Sequence, residues 1–424
     1  ATASGKTEAV CAPLIERFLD LAKPWTILYV SPTRALVNDL YARLEIPLQR
    51  LNLILKRRTG EYRGDVKEVP NILLTTPESF DSLLCRGRRS DSLGHVLSAV
   101  VALVLDEVHL LFGTPRGEQV RYLVERLRRL RREAKLKGWA SSDGFQTIGL
   151  SATIPDPDAV LSSFIPQGRA IVVPGGREID VVTMPGEKLN TDDTIPAYLA
   201  SCAGPQKLLV FSNSRRRVDD LALRLTPKLR GLGYKVEVHH GSLPKNQRVA
   251  TEEMAKKESR VVIFATSTLE LGIDIGDIDL VVLDEPPPDV PALLQRIGRG
   301  NRRSDQTRLM ICPRSRAESI IHSAMIDAAR DGWLGPSEYG PHYAVARQQI
   351  ASYIFQSRRR SRTRNKLLGY LECLVEPFIG RSILDHMVET GELKEDAEGI
   401  RLGEEWEERA TYGKIHSNIE DNPG

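Results

Sequence analysis

Short apolar runs alternate with helical patterns from the start of the chain to about residue 172. Trp25–Val30, Ile72–Thr75, Ala99–Leu105 and Thr147–Leu150 read as buried strands, and the amphipathic segments between them as crossover helices. Such alternation predicts a parallel sheet flanked by helices. Pro174, Gly175, Gly176, Pro185 and Gly186 then break the pattern, and residues 173–190 read as a linker. A second alternation follows, with strands at Leu208–Phe211, Lys235–His239, Val261–Ala265 and Leu280–Leu283 and helices at Arg217–Leu225 and Lys245–Lys256. Helical periodicity takes over after about residue 315, over Glu318–Arg330 and again over His342–Leu374. Ile379, Ile383, Leu384, Met387 and Val388 continue it to a stop at Gly391, and a two-stranded hairpin over Glu392–Leu402 follows. The expected organisation is a first α/β domain at 1–172, a linker at 173–190, a second α/β domain at 191–315, and a mostly helical accessory region at 316–424 whose helix and hairpin resemble a winged helix.

The length of 424 residues allows two to four domains at roughly 150 residues each. Apolar residues make up 41% and charged residues 27%, which excludes disorder throughout. The formal charge is only +3, so a nucleic-acid surface must arise from local clustering. Cys11, Cys85, Cys202, Cys312 and Cys373 are widely separated and form no metal-binding or disulfide pattern. No apolar run approaches the roughly 20 residues of a membrane span.

The chemistry begins at the first residues, ATASGKT. Backbone amides around Ala3, Ser4 and Gly5 can wrap phosphate oxygens, Lys6 can meet the outer phosphates, and the Thr7 hydroxyl can ligate magnesium. A chain opening inside such a loop is expected to be a fragment. The loop requires a partner acid, and the apolar strand ending in Asp106 and Glu107 supplies one at a sheet edge where open α/β folds bind ligands. Asp106 can hold magnesium and Glu107 can activate the attacking water. Taken singly, His109 reads as a packed or surface histidine, and Ser151-Ala152-Thr153 as a turn or helix cap.

Their order changes that reading. ASGKT, SPTRAL at 31–36, TTPES at 75–79, DEVH at 106–109 and SAT at 151–153 resemble the ordered motifs of superfamily 2 helicases. LVFSNSRRR at 209–217, HHGSLPKNQR at 239–248, ATSTLELGIDIG at 265–276 and QRIGRGNRR at 295–303 resemble those of the second lobe. The combination is most similar to the large helicase-related, Lhr-like group and covers about residues 1–310.

This resemblance implies tandem RecA-like domains with ATP and magnesium in the cleft between them. Gln295, Arg299 and Arg302 match the motif that reaches the phosphates, and Gly272 and Asp274 match positions that touch the nucleotide. His109, Ser151 and Thr153 match residues coupling hydrolysis to domain movement. Thr33, Arg34 and Thr76 in the first domain, with Asn213, Ser242 and Thr266 in the second, match contacts to a nucleic-acid backbone. Two departures stand out: Ala3 where many relatives carry Gly, and Asn301 between Arg299 and Arg302.

The implied activity is ATP-driven translocation on single-stranded or partly duplex nucleic acid, DNA favoured, with 3′–5′ polarity and duplex unwinding, in a prokaryotic cytosol or nucleoid. RNA or an RNA-DNA hybrid is the alternative substrate, and a nucleotide-gated clamp without unwinding is the alternative class. Arg121, Arg128, Arg129 and Arg132 read as the solvated face of a helix. The cluster Arg358, Arg359, Arg360, Arg362, Arg364 and Lys366, beside Tyr353 and Phe355, reads equally as a phosphate-binding strip or a solvated surface. Trp333 and Trp406 are expected in a core or interface.

Overall fold

The computed structural model describes residues 5–21, 24–62, 68–87, 94–151, 154, 156–172, 178–184, 190–269, 275–300, 306–335 and 341–416. The chain divides into two compact units. One comprises 6–151, 156–170 and 337–424, the other 171–336 with 1–5 and 152–155.

The first unit opens with α1 (Lys6–Phe18), β1 (Thr26–Val30), α2 (Arg34–Arg50), β2 (Leu55–Arg58), β3 (Ile72–Thr75), α3 (Pro77–Arg86), β4 (Val100–Leu105), α4 (Pro115–Leu136), β5 (Gln146–Gly149) and α5 (Pro157–Phe164). Its strands run parallel in the order β2-β3-β1-β4-β5. β1 and β3 are buried along their whole length, as near-continuous apolar runs require of a sheet covered on both faces. Side-chain caps start the helices: Thr33 accepts from Leu36 N before α2, Thr114 from Gly117 N before α4, and Asp156 from Ala159 N before α5.

The second unit contains β6 (Glu178–Val181), α6 (Thr191–Ser201), β7 (Lys207–Phe211), α7 (Arg215–Gly231), β8 (Lys235–His239), α8 (Lys245–Lys257), β9 (Val261–Ala265), β10 (Leu280–Leu283), α9 (Val290–Ile297), β11 (Gln306–Ile311) and α10 (Arg316–Arg330). All its strands are parallel, in the order β6-β11-β10-β7-β9-β8. Two boundaries differ from the sequence reading. β6 lies within the expected linker, where it pairs with β11 and buries Ile179. α10 packs on α9 and β6, and Arg330 Nη2 donates to Ile179 O at 3.1 Å, so this helix belongs with the second sheet rather than with the accessory region.

The C-terminal elements pack with the first sheet. They are α11 (Tyr343–Phe355), β12 (Ser361–Arg362), α12 (Arg364–Leu371), α13 (Pro377–Glu389), β13 (Leu393–Asp396), β14 (Gly399–Leu402) and α14 (Glu404–Thr411). The expected helix and hairpin are α13, β13 and β14, and β12 adds a third antiparallel strand. The helical stretch expected over His342–Leu374 is interrupted between α11 and α12 by β12. α11 is buried from Gln348 to Phe355, and its polar side meets α3 and α4. There Asp81, fully buried, accepts from Arg126 Nη1 at 2.6 Å, Gln349 Nε2 at 2.9 Å, Gln348 Nε2 at 3.1 Å and Ser352 Oγ at 2.5 Å.

Aromatic stacking consumes much of the basic character. Arg129 donates to Gly369 O at 2.6 Å and lies near the Tyr353 and Tyr370 rings, so it joins α4 to the accessory region instead of forming part of a solvated face. Arg360 lies 3.4 Å from the Phe355 ring centroid, Arg362 lies 3.5 Å from that of Tyr353, and Arg364 pairs with Glu395 and Asp385. These three cations of the 358–366 cluster hold their own module together. Trp333 is 58% exposed and so lies outside the core, whereas Trp406 packs on the accessory core.

Candidate active site

β4 delivers its two acids into a sharp turn. Asp106 is buried, donates its N–H to Val30 O at 2.9 Å, and accepts from Ser31 Oγ at 3.0 Å and from Glu107 N at 3.0 Å. Glu107 has φ 45° and ψ 50°, a left-handed conformation uncommon for a residue with a side chain. A 3-10 turn over Val108–Leu110 follows it. Gly117 fixes the next segment: a Cβ there would stand 1.7 Å from Leu111 O, so only glycine lets α4 approach the end of the turn.

Lys6, the first residue of α1, places Nζ 3.8 Å from Glu107 Oε1. His109 Nδ1 lies 2.7 Å from Ser151 Oγ and 3.4 Å from Glu107 Oε2. The fold thus assembles Lys6, Asp106, Glu107, His109 and Ser151 from the ends of α1, β4 and β5. Thr7 is half-buried beside Lys6, and Gly5, at φ 71°, precedes them. Ala3, Ser4 and Thr153 lie outside the described residues.

Burial and the neighbouring Glu107 charge push the Asp106 carboxyl up to about 6. Burial also lowers the His109 imidazole below its ordinary value, leaving it neutral at pH 7. Lys6 Nζ and Glu107 Oε2 are buried atoms without a hydrogen-bond partner. An ammonium and a carboxylate oxygen left in that state fit a site that takes a triphosphate, a cation and a water, because unpartnered buried polar atoms are otherwise costly.

The first-domain residues matched to nucleic acid occupy helix starts. Thr33 caps α2, the exposed Arg34 reaches Glu61 at 3.3 Å, and Thr76 is buried with its hydroxyl 3.3 Å from Ser79 Oγ. Arg116 was not singled out from sequence. It donates to Glu78 Oε1 at 2.8 Å and to Pro32 O at 2.7 Å, tying the TTPES segment to SPTRAL. Its place beside Pro115 at a helix start was the available signal.

In the second unit Gln295 and Arg299 are buried at and just after α9. Asn213 is engaged at both ends of its amide: Oδ1 accepts from Arg296 Nη2 at 2.9 Å and Nδ2 donates to Pro286 O at 2.8 Å. Ser242 Oγ accepts from Arg215 Nη1 at 2.5 Å, and Thr266 is buried 3.5 Å from Thr268 Oγ1. Gly272, Asp274 and Arg302 lie outside the described residues. Among the described residues, one grouping of metal-ligand types, Asp81, Cys85 and His416, has its carboxylate saturated by Arg126 and its neighbours.

The DEAD/DEAH box helicase family matches residues 1–160, and the helicase conserved C-terminal domain matches residues 192–304. The ATP-dependent helicase Lhr-Core protein 2 of Thermococcus barophilus is 33% identical over 343 residues, covering 71% of this chain and 38% of the relative. The Lhr helicase/probable uracil glycosylase of Mycolicibacterium smegmatis is 29% identical over 395 residues, covering 78% of this chain and 25% of the relative. A solved structure of Mycobacterium smegmatis helicase Lhr, bound to ssDNA and AMP-PNP, is similar with a TM-score of 0.77 at 25% identity, covering 97% of this chain and 57% of that one. The tandem parallel sheets and their motifs define a superfamily 2 helicase. Within that superfamily the chain belongs to the Lhr-like group. It spans well under half the length of these two curated relatives.

Proposed function

We propose that the chain is the motor of an Lhr-like helicase: an ATPase that moves along single-stranded DNA in the 3′–5′ direction and parts duplexes ahead of it. The assembly of Lys6, Asp106, Glu107, His109 and Ser151 at one sheet edge carries the reading. Lys6 binds the outer phosphates of ATP. Thr7 and Asp106 would hold magnesium, which when bound would neutralise phosphate charge. Glu107, whose Oε2 accepts no hydrogen bond, orients and deprotonates the attacking water. Neutral His109, bonded to Ser151, senses the change at Glu107 and passes it to the segment after β5. By resemblance, Gln295, Arg299 and Arg302 stabilise charge on the transferring phosphate, and Gly272 and Asp274 read the nucleotide.

Thr33, Arg34, Thr76, Asn213, Ser242 and Thr266 line the backbone path by the same resemblance. Asn213 has its side-chain amide occupied, so its contribution is to place the turn that precedes α7. No described helix is long and apolar enough to cross a membrane, and the proposed workplace is the cytosol or nucleoid. The experiment is Glu107→Gln: nucleotide binding persists and turnover falls by at least about 10²-fold, at the lower end of what a positioned base contributes. Undiminished hydrolysis would remove Glu107 from the role of base.

A further inference from the structure

The two parallel sheets repeat one plan. The order β2-β3-β1-β4-β5 corresponds to β8-β9-β7-β10-β11, with β6 added beyond β11. Registers coincide too: Val30 pairs with Leu105 in the first domain and Phe211 with Leu283 in the second. The next residues are Ser31 and Asp106 in one domain, Ser212 and Asp284 in the other. Ser31 Oγ donates to Asp106 Oδ2 at 3.0 Å, and Ser212 Oγ donates to Asp284 Oδ2 at 3.1 Å. A glutamate follows each aspartate. Thr7, at the start of α1, has a counterpart in Thr191, the first residue of α6, which donates to Asp284 Oδ1 at 2.5 Å. The residues proposed to hold magnesium in the first domain therefore have a second edition.

The cation is what differs. Arg217 donates from Nε to Asp284 Oδ2 and from Nη2 to Asp284 Oδ1, both at 2.8 Å. Aligning SPTRAL at 31–36 with SNSRRR at 212–217 places Arg217 opposite Leu36, a buried apolar residue of the first domain. Asp284 is wholly buried, whereas the Arg217 side chain keeps about a fifth of its surface exposed, so the guanidinium closes a pocket whose floor is the carboxylate.

We propose that Asp284, Thr191 and Ser212 are a silenced copy of the first domain's cation site, in which the Arg217 guanidinium stands where a divalent cation would. Removing that guanidinium converts the pocket into a divalent-cation site. The second domain thereby carries a permanent countercharge, and the first acquires its own with each nucleotide. The inference rests on reading Asp106 as a magnesium ligand.

The probe is Mn²⁺, suited to carboxylate, hydroxyl and water ligands, counted by electron paramagnetic resonance without nucleotide. Arg217→Met keeps an apolar stem and Arg217→Ala opens the pocket fully. Each is expected to bind one Mn²⁺ more than the natural chain. The extra ion should disappear in the Arg217→Met/Asp284→Asn double variant and persist when Asp106→Asn is added to Arg217→Met. Equal Mn²⁺ counts in the natural chain and both Arg217 variants would overturn the inference. A thermal melt covers weakened folding: Mn²⁺ must raise the midpoint of Arg217→Met more than that of the natural chain, and an equal shift also overturns it. Repeated with a non-hydrolysable ATP analogue present, the count reports separately on the first site, where the natural chain should hold an ion that Asp106→Asn loses.

Discussion

Breaking the buried Asp81–Arg126 pair should detach the accessory region from the first domain. Neither side chain is exposed, and their closest atoms are 2.6 Å apart. Arg126→Met leaves the Asp81 carboxylate with hydrogen bonds from Gln119 at 3.3 Å, Gln348 at 3.1 Å, Gln349 at 2.9 Å and Ser352 at 2.5 Å, but without its main countercharge. Removing one partner of such a pair costs about 3–5 kcal/mol, against about 5–15 kcal/mol of total stability for a domain. Asp81→Asn/Arg126→Met removes both charges and should recover at least about 2 kcal/mol relative to the sum of the single variants.

Burial alone would push the Asp81 carboxyl up, but Arg126 outweighs it and holds the group well below the usual carboxylate range. With the folded value depressed, this stabilisation is present above the unfolded value of about 4 and is lost as pH falls further. The assay is equilibrium unfolding in guanidinium chloride at pH 7 and pH 3, with hydrogen exchange across α11 to locate the loosening. The stability gap between the natural chain and Asp81→Asn should narrow at the lower pH. A cost for Arg126→Met within about 1 kcal/mol, or strict additivity in the double variant, would refute the reasoning.

Four further outcomes follow from the site. Asp106, with its carboxyl at about 6, takes up a proton in competition with magnesium, so the half-saturating magnesium concentration for ATPase should rise about tenfold per pH unit below 6. The same raised value means that this group favours the folded state below about pH 4, an advantage lost as pH climbs through 6, which a stability titration of Asp106→Asn against the natural chain would reveal. Gly117→Ala has no room beside Leu111 O and should lose about 1–3 kcal/mol, seen as an earlier thermal midpoint with lower ATP turnover. Arg116→Ala should weaken DNA stimulation of ATPase more than ATP binding, because its guanidinium joins Glu78 to Pro32 beside the residues matched to the strand; an unchanged half-stimulating DNA concentration would count against that role.

Buried parallel strands were legible because their apolar runs are continuous: β1, β3, β4, β7, β9 and β10 fall within a residue or two of their expected bounds. β2, β6 and β11 were not. β2 reads LKRR and is an edge strand, and β6 hides among prolines and glycines at the far side of the other sheet. The acids at 106 and 107 were readable from the strand that carries them, whereas the bonds from Ser31 to Asp106 and from Arg217 to Asp284 join residues 75 and 67 positions apart, which no local pattern reports. The polar hub around Asp81 was equally hidden, because Arg126, Gln348 and Gln349 have a surface residue's chemistry and are buried only by the meeting of three helices. Stacking of Arg360 and Arg362 on neighbouring aromatics likewise commits part of the basic cluster to its own module.

Steady-state phosphate release at stated salt, with single-stranded DNA, with single-stranded RNA and with neither, tests the motor most directly, because backbone binding falls steeply with ionic strength. The account predicts low release alone, strong stimulation by DNA that declines as salt rises, and none in Glu107→Gln. Equal rates in all three conditions would contradict the coupling of ATP to a polynucleotide, and stimulation by RNA alone would contradict the choice of DNA.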